Sequence, residues 1–335
     1  CINRDIAAGT LALTAAVVNV AYAAPSGYEF DTITALNRMP NGKWYNFVVT
    51  GRCVTSRAVI EATVSRPQLL KTMGVFGDVQ SQLQPNIDVY SYSSLFLLNP
   101  VAADSTGEAN VGSNESIVLR PGAFVDGMFL LGASQGGVPP SAPGGSFESV
   151  YVGRIPPDPL GATSGALAQA FAHFSIATNN QNAREGIVGN QLSLGAGGTF
   201  TLHGGNYYLT KFYMPARSTL VVDATRTNPT VIYLSGEMKM QPNTDINMTA
   251  GQPANFFIFS NSTQPVDVQP NGDFRAFLYA PFADVDLKPN GRMMGVFWGN
   301  DITLLPGQDV FVDVSLLDTF VAGQVKLEQW RQVIN

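Results

Sequence analysis

The side chains able to do chemistry are few, and they lie far apart in the chain. Asp284 and Asp286 stand two residues apart in a strand-like stretch, so both carboxylates project from one sheet face. Such a pair can hold a cation or divide general acid and base duties, as in polysaccharide-cleaving enzymes. Lys288 follows at once, and a solvated, charge-balanced strand face is the simpler reading. The chain has two histidines. His173 sits in the apolar run Ala170-Phe171-Ala172-His173-Phe174 and reads as structural, while His203 precedes Gly204-Gly205 at an exposed turn. No HxxxH or CxxC spacing occurs, so the zinc signatures fail. No catalytic set, cofactor or metal site is expected. Cys1 and Cys53, the only cysteines, would form one disulfide in an oxidising compartment or remain two thiols.

The elements that would position such residues are turn-rich. Only 13% of the 335 residues are charged, against about 25% in ordinary soluble domains, and Gly (33) and Pro (21) are abundant. That balance points to an extracellular or cell-surface β protein. A net charge of −6 with no basic cluster excludes nucleic acid as a partner. Asn114, Asn247 and Asn261 begin glycosylation sequons of the kind an Asn/Ser/Thr-rich chain carries by chance.

At the amino terminus Ile6, Leu13, Val17, Val20 and Ala24 line one side of a helix, with Asn3 as N-cap and Pro25-Ser26-Gly27 as its stop. Residues 31–39 suggest a second short helix. Two strands, 44–49 and 54–64, should then join across Thr50-Gly51. Further on, one phrase recurs six times: apolar residue, Pro two positions on, Asn or Gly, and a second apolar residue three positions later. Its prolines are Pro85, Pro121, Pro242, Pro270, Pro289 and Pro306, the last four separated by 28, 19 and 17 residues. Each copy ends one strand, turns, and opens the next. Cores such as 256–259, 277–279 and 295–298 are too short to fold alone but bury a shared column when stacked. The fold class expected is therefore mainly β, a β-solenoid head behind an α-helical stem and a small strand pair. Residues 1–66 form the stem and first strands, 67–152 the first part of the head, 132–165 a Pro/Gly-rich surface excursion, and 166–335 the rest, with a short helix over 166–177. Asp245, Asp273 and Asp309 recur at one repeat position and read as turn residues bonding local N–H groups.

Several of these segments together resemble a known family. Phe277-Leu278-Tyr279-Ala280-Pro281 running to Asp284-Val285-Asp286-Leu287, then Gly291, Gly295-Val296-Phe297-Trp298, Asp301-Ile302-Thr303-Leu304 and Val312-Asp313 are similar to the carboxy-terminal domain of PilX-type pilus-assembly proteins. Trp330 near the end and the stretch from Asn86 to Ser94 resemble two further motifs of that family, with departures at Val89 and Tyr92. The resemblance implies a non-enzymatic, extracellular pilin-like subunit or minor pilin. Its stem residues Ile6, Leu13, Val17 and Val20 would pack against neighbouring pilin-like subunits of a homo- or hetero-filament. Residues 1–24 would match the second half of the pilin helix, so membrane contact would run through a segment this chain lacks. The alternatives are an adhesin gripping surface glycans through its aromatic and Asn-rich head and, behind it, a polysaccharide-active solenoid enzyme.

Overall fold

A computed structural model of the chain describes residues 28–38, 44–53, 56–65, 73–132, 149–151, 155, 157–163, 165–288, 290–305, 309–317 and 326–333. The chain divides into two units, residues 1–68 with 320–335, and residues 69–319. The expected stem helix, with Cys1, Ile6, Leu13, Val17 and Val20, lies outside the described residues.

The first unit is an antiparallel four-stranded sheet in the order Tyr28–Arg38, Trp44–Cys53, Ser56–Ser65, Lys326–Val333. Three expectations are corrected here. Residues 31–38 are strand, not helix: Tyr28, Phe30, Thr32, Ile33 and Thr34 are aromatic or β-branched, and a full-length partner strand decides the matter. The hairpin turns beyond Cys53 and not at Thr50-Gly51, since Gly51 pairs in register with Ala58. The carboxy-terminal strand belongs to this sheet and not to the head, because it pairs with Ser56–Ser65.

The second unit is a three-faced parallel β-solenoid, in which residues 230–234, 238–240 and 245–248 of one coil lie on the first, second and third faces. Every strand pairing that involves its named strands is parallel, and successive coils lie about 4.8 Å apart. Gly205–Met214, Thr230–Met248 and Met293–Leu304 turn corners without leaving strand geometry and so contribute to more than one face. The recurring Pro phrase marks one corner throughout. Its leading residues Met240, Val268, Leu287, Leu304, Leu83 and Leu119 stand in a single file, joined by Met214, and none is more than 7% exposed. Asn86, Asn243 and Gly122 take positive φ at this corner, which explains the Asn or Gly that follows the proline. Met214-Pro215 is a seventh, shortened copy with Arg217 at φ 67°, which the phrase as written does not match.

The coils are not stacked in chain order. The last full coil, 296–313, bonds on one side to 277–295 and on the other to the first, 75–92. From there the stack runs to 111–125, Phe129–Leu131 and Ser149–Tyr151. The chain must then return to the far end, where Gln191–Ser193 begins the other run. It returns over the outside of the first face. Tyr233, Phe259, Tyr279, Trp298 and Phe76 form a register-matched aromatic column there. Phe174 of the helix Ala166–Phe174 stacks on Tyr233 at 4.8 Å. Trp298 Nε1 donates to Pro157 O at 3.0 Å, and the Tyr279 hydroxyl donates to Asp158 Oδ1 at 2.7 Å. The described part of the Pro/Gly-rich stretch is thus a packed cover, not a free excursion, because five aromatic side chains need burial.

Two buried side-chain amides bond backbone groups that no strand reaches. Asn182 donates to Tyr208 O at 2.6 Å and accepts from Tyr208 N at 3.3 Å. Asn114 does the same with Ile155, accepting from its N–H at 2.8 Å and donating to its carbonyl at 2.6 Å. At Tyr208 the amide imitates the backbone of a missing coil and blunts a strand edge, whereas Asn114 ties the returning segment at Ile155 to the stack.

Candidate functional site

The third face, which holds residues 245–248, carries an interruption of the stack that opens to solvent. Thr244 pairs with Pro270 and, further along, Phe257 pairs with Phe277. Twelve residues separate the first members of these pairs and six the second, so the longer path bulges away. The wedge left between them is a cavity of about 350 Å³ lined by Asp245, Ile246, Asn247, Met248, Gly251, Gly272, Asp273 and Arg275. Asp245 and Asn247 project outward by strand alternation, and among the described residues neither side chain has a partner. A Cβ at Gly272 would meet nothing within 4 Å.

Asp273 is the electrostatic centre of this region. It accepts from Arg292 N at 2.9 Å, Arg292 Nη2 at 2.8 Å and Arg275 Nη2 at 2.9 Å. Burial alone would raise its carboxyl, but the hydrogen bonds from Arg292 and Arg275 outweigh it and hold the group below the ordinary carboxylate value. Its bonds reach the next coil, so the expectation of purely local turn chemistry is corrected for this residue.

The two arginines also fasten a strap made by residues 93–105. Arg275 Nη1 donates to Leu98 O at 3.0 Å, Arg275 Nη2 to Asn99 Oδ1 at 2.9 Å, and Arg292 Nη1 to Pro100 O at 3.2 Å. Gln252 Nε2 donates to Ser94 O at 3.0 Å. Under the strap, Tyr92, Met294 and Phe311 form a buried cluster. Burial, and then the charge of Asp313, push the Tyr92 hydroxyl well above its ordinary value. On its outer side the strap presents Leu95, Phe96, Leu97, Leu98 and Val101, with Phe96 85% exposed.

The strap begins at a latch. Asp313 is fully buried, and its Oδ1 accepts from Ser94 N at 3.0 Å, Ser315 N at 3.1 Å and Ser315 Oγ at 2.7 Å. Ser94 and Asp313 are 219 residues apart in the chain, and each ends one of the PilX-like segments.

Residues 216–319 match the model of a family described as a domain of unknown function, DUF7305. No curated protein sequence matches the chain. Among solved structures, it is similar to an ice binding protein from an Antarctic Biological Consortium, at 10% identity over 74% of this chain and 88% of that one, with a TM-score of 0.39. It is similar to the competence-associated pilin ComZ from Thermus thermophilus at 10% identity, over 97% and 88%, with a TM-score of 0.32. An ice-binding protein from the Antarctic ascomycete Antarctomyces psychrotrophicus shares 13% identity over 73% and 95%, with a TM-score of 0.30.

The residues singled out in the sequence fall elsewhere. Asp284 Oδ1 accepts from Asn300 at 3.2 Å, whereas Asp286 is bonded to Lys288 at 3.0 Å, with Asp267 3.5 Å from the same ammonium. The two carboxylates therefore serve different partners. Burial and the Asp284 charge raise the Asp301 carboxyl above its ordinary value. His173 is exposed on its helix, and His203 sits between Glu185 at 3.1 Å and Asp223 at 3.8 Å, on opposite ring nitrogens. Among the described residues no three His, Cys, Asp or Glu side chains converge to hold a metal ion. Cys53 lies in the first unit, while its possible partner Cys1 is outside the described residues. Of the sequons, Asn114 is buried and fully used, while Asn247 lines the wedge. Sequence reasoning assigned Asp245 and Asp273 to turns; the unequal path lengths that separate them become visible only once the register is known.

Proposed function

We propose that this chain is a non-catalytic, extracellular display protein, a pilin-like subunit or minor pilin whose solenoid is presented outward from a type IV pilus-like filament. The observation that carries the reading is the fate of the PilX-like residues. Tyr279 and Trp298 anchor the returning segment, Leu287 and Leu304 fill the corner file, and Asp313 closes the latch with Ser94. They build a stiff head rather than a reaction centre. A head with little charge and buried strand edges suits exposure outside the cell. The amino-terminal apolar segment, with Ile6, Leu13, Val17 and Val20, is the part assigned to contact with other subunits.

Immunogold electron microscopy of source cells, with antibody raised against residues 69–319, tests this. Gold along or at the tips of filaments, with cross-links between residues 1–24 and other pilin-like chains, is the expected result. Surface label that never accompanies a filament, together with no such cross-link, would overturn it.

A further inference from the structure

We infer that the wedge on the third face is a carbohydrate site, taking one or two neutral sugar units of a longer glycan. This deepens the display reading by giving the head a class of ligand. The wedge comes from extra residues in one coil, not from loose packing: Ile246 and Met248 are half-buried, Gly251 sits at φ 64°, and Gly272 leaves its side of the cavity open.

The chemistry of the lining selects hydroxyls. The Asp245 carboxylate offers two acceptor oxygens and the Asn247 amide offers both donors and an acceptor, and neither has a partner among the described residues. Along residues 245–248 the edge facing the wedge has no strand partner, since the register stops at Thr244 and Pro270. Backbone N–H and C=O groups there are free to bond a polyol. Asp273 faces two guanidinium groups, Arg275 and Arg292, so with Asp245 the charges at the wedge sum to zero. A site whose charges balance favours neutral hydroxyls over a phosphate or sulfate, since both guanidinium groups are already engaged by Asp273. Ile246 and Met248 supply apolar surface for the C–H face of a ring.

The surroundings fit a polymer better than an enclosed small molecule. A volume of about 350 Å³ suits one or two rings. The mouth is bounded by the strap through the Leu98 and Asn99 bonds to Arg275, so the exposed run Leu95 to Leu98 stands at its rim. An exposed apolar run of this kind marks a contact surface. Away from the wedge, Thr219 and then Thr199 continue the outward file of Asp245, one coil step of about 4.8 Å each. A glycan leaving the wedge therefore passes two further hydroxyl-bearing positions.

The test is binding of the full chain to a panel of cello-, malto-, xylo- and chito-oligosaccharides, by array and then by titration calorimetry. At least one should bind, with Asp245→Ala weakening it about tenfold or more, and Asn247→Ala and Phe96→Ala about threefold or more. Melting temperatures should not move for Asp245→Ala and Asn247→Ala, because neither side chain has a bond among the described residues. No binding up to about 10 mM, or binding that both Asp245→Ala and Asn247→Ala leave within about twofold, would overturn the inference. The second outcome would indicate backbone pairing of an extended chain along residues 245–248 or another surface altogether. A negative result here leaves filament labelling unaffected, and absence from filaments leaves glycan binding unaffected, so the two readings fail separately.

Discussion

Replacing Asp273 by Asn removes one charge from the centre of the third face and should loosen two coils and the strap together. The carboxylate is 25% exposed and receives three short bonds, one from the Arg292 backbone and two from guanidinium groups. Hydrogen bonds to charged groups contribute about 1.5–3 kcal/mol each when partly buried. Asn retains one acceptor oxygen, and solvent at a quarter-exposed site screens the lost attraction, so the net cost should be about 2–3 kcal/mol. At about 2–4 °C per kcal/mol for a chain of this size, the melting temperature should fall by about 4–12 °C. The sign with pH follows from the depressed carboxyl. Its stabilisation is complete above the unfolded value of 3.8 and is lost as pH falls through the lower folded value. Thermal melts by near-ultraviolet circular dichroism should therefore separate D273N from the parent near pH 7 and bring them together near pH 2. Limited proteolysis adds a local readout: the strap, released from Arg275 and Arg292, should be cut faster. A D273N protein melting within about 1 °C of the parent near pH 7, or a gap unchanged near pH 2, would refute the account.

Two other perturbations probe one end of the stack and the corner at Asp301, between the first and second faces. Asn182→Ala strips the amide that bonds both backbone groups of Tyr208, and should cost about 1–3 kcal/mol in denaturant unfolding and increase aggregation measured by light scattering; unchanged stability and solubility would show that the amide does not cap the stack. Asp301→Asn should stabilise the protein by up to about 1 kcal/mol near pH 7, because a raised carboxyl loses its proton first in the unfolded chain and so favours unfolding above 3.8. The gain should vanish near pH 3, and a less stable D301N protein at neutral pH would contradict the stated cause.

What could be read from the sequence was local. The corner after the second face announces itself through Pro followed by Asn or Gly, since Asn86, Asn243 and Gly122 need positive φ wherever the coil is stacked. Residues 31–38 misled for the opposite reason: their apolar spacing allows a helix, and only the partner strand Trp44–Cys53 selects the extended form. The coil order was also out of reach. Nothing near Val75 indicates that it pairs with Phe297, and nothing in the Pro-rich stretch reveals that Pro157 and Asp158 receive hydrogen bonds from Trp298 and Tyr279. The wedge shares this limit, because it arises from the difference between two path lengths and not from any motif.

The permuted order explains why the PilX-like residues gather where they do. The strand Val75–Leu83 pairs with residues 297–304 on one edge and with residues 111–119 on the other. Closing the first edge requires contact across most of the chain, which is entropically costly and slow to form. By contrast, residues 205–313 stack coil upon coil in chain order and offer a ready edge at 296–304. Docking of the first coil on that edge needs a contact that fixes register, because a slipped parallel pairing would still bury apolar side chains. Asp313 supplies it: a fully buried carboxylate whose Oδ1 is held by Ser94 and Ser315 tolerates little displacement. The resembling residues thus secure the junction that makes this topology possible. Asp245 and Asn247, on the strand Thr230–Met248, and the exposed Phe96 of the strap lie outside those motifs, so they can change without disturbing that junction.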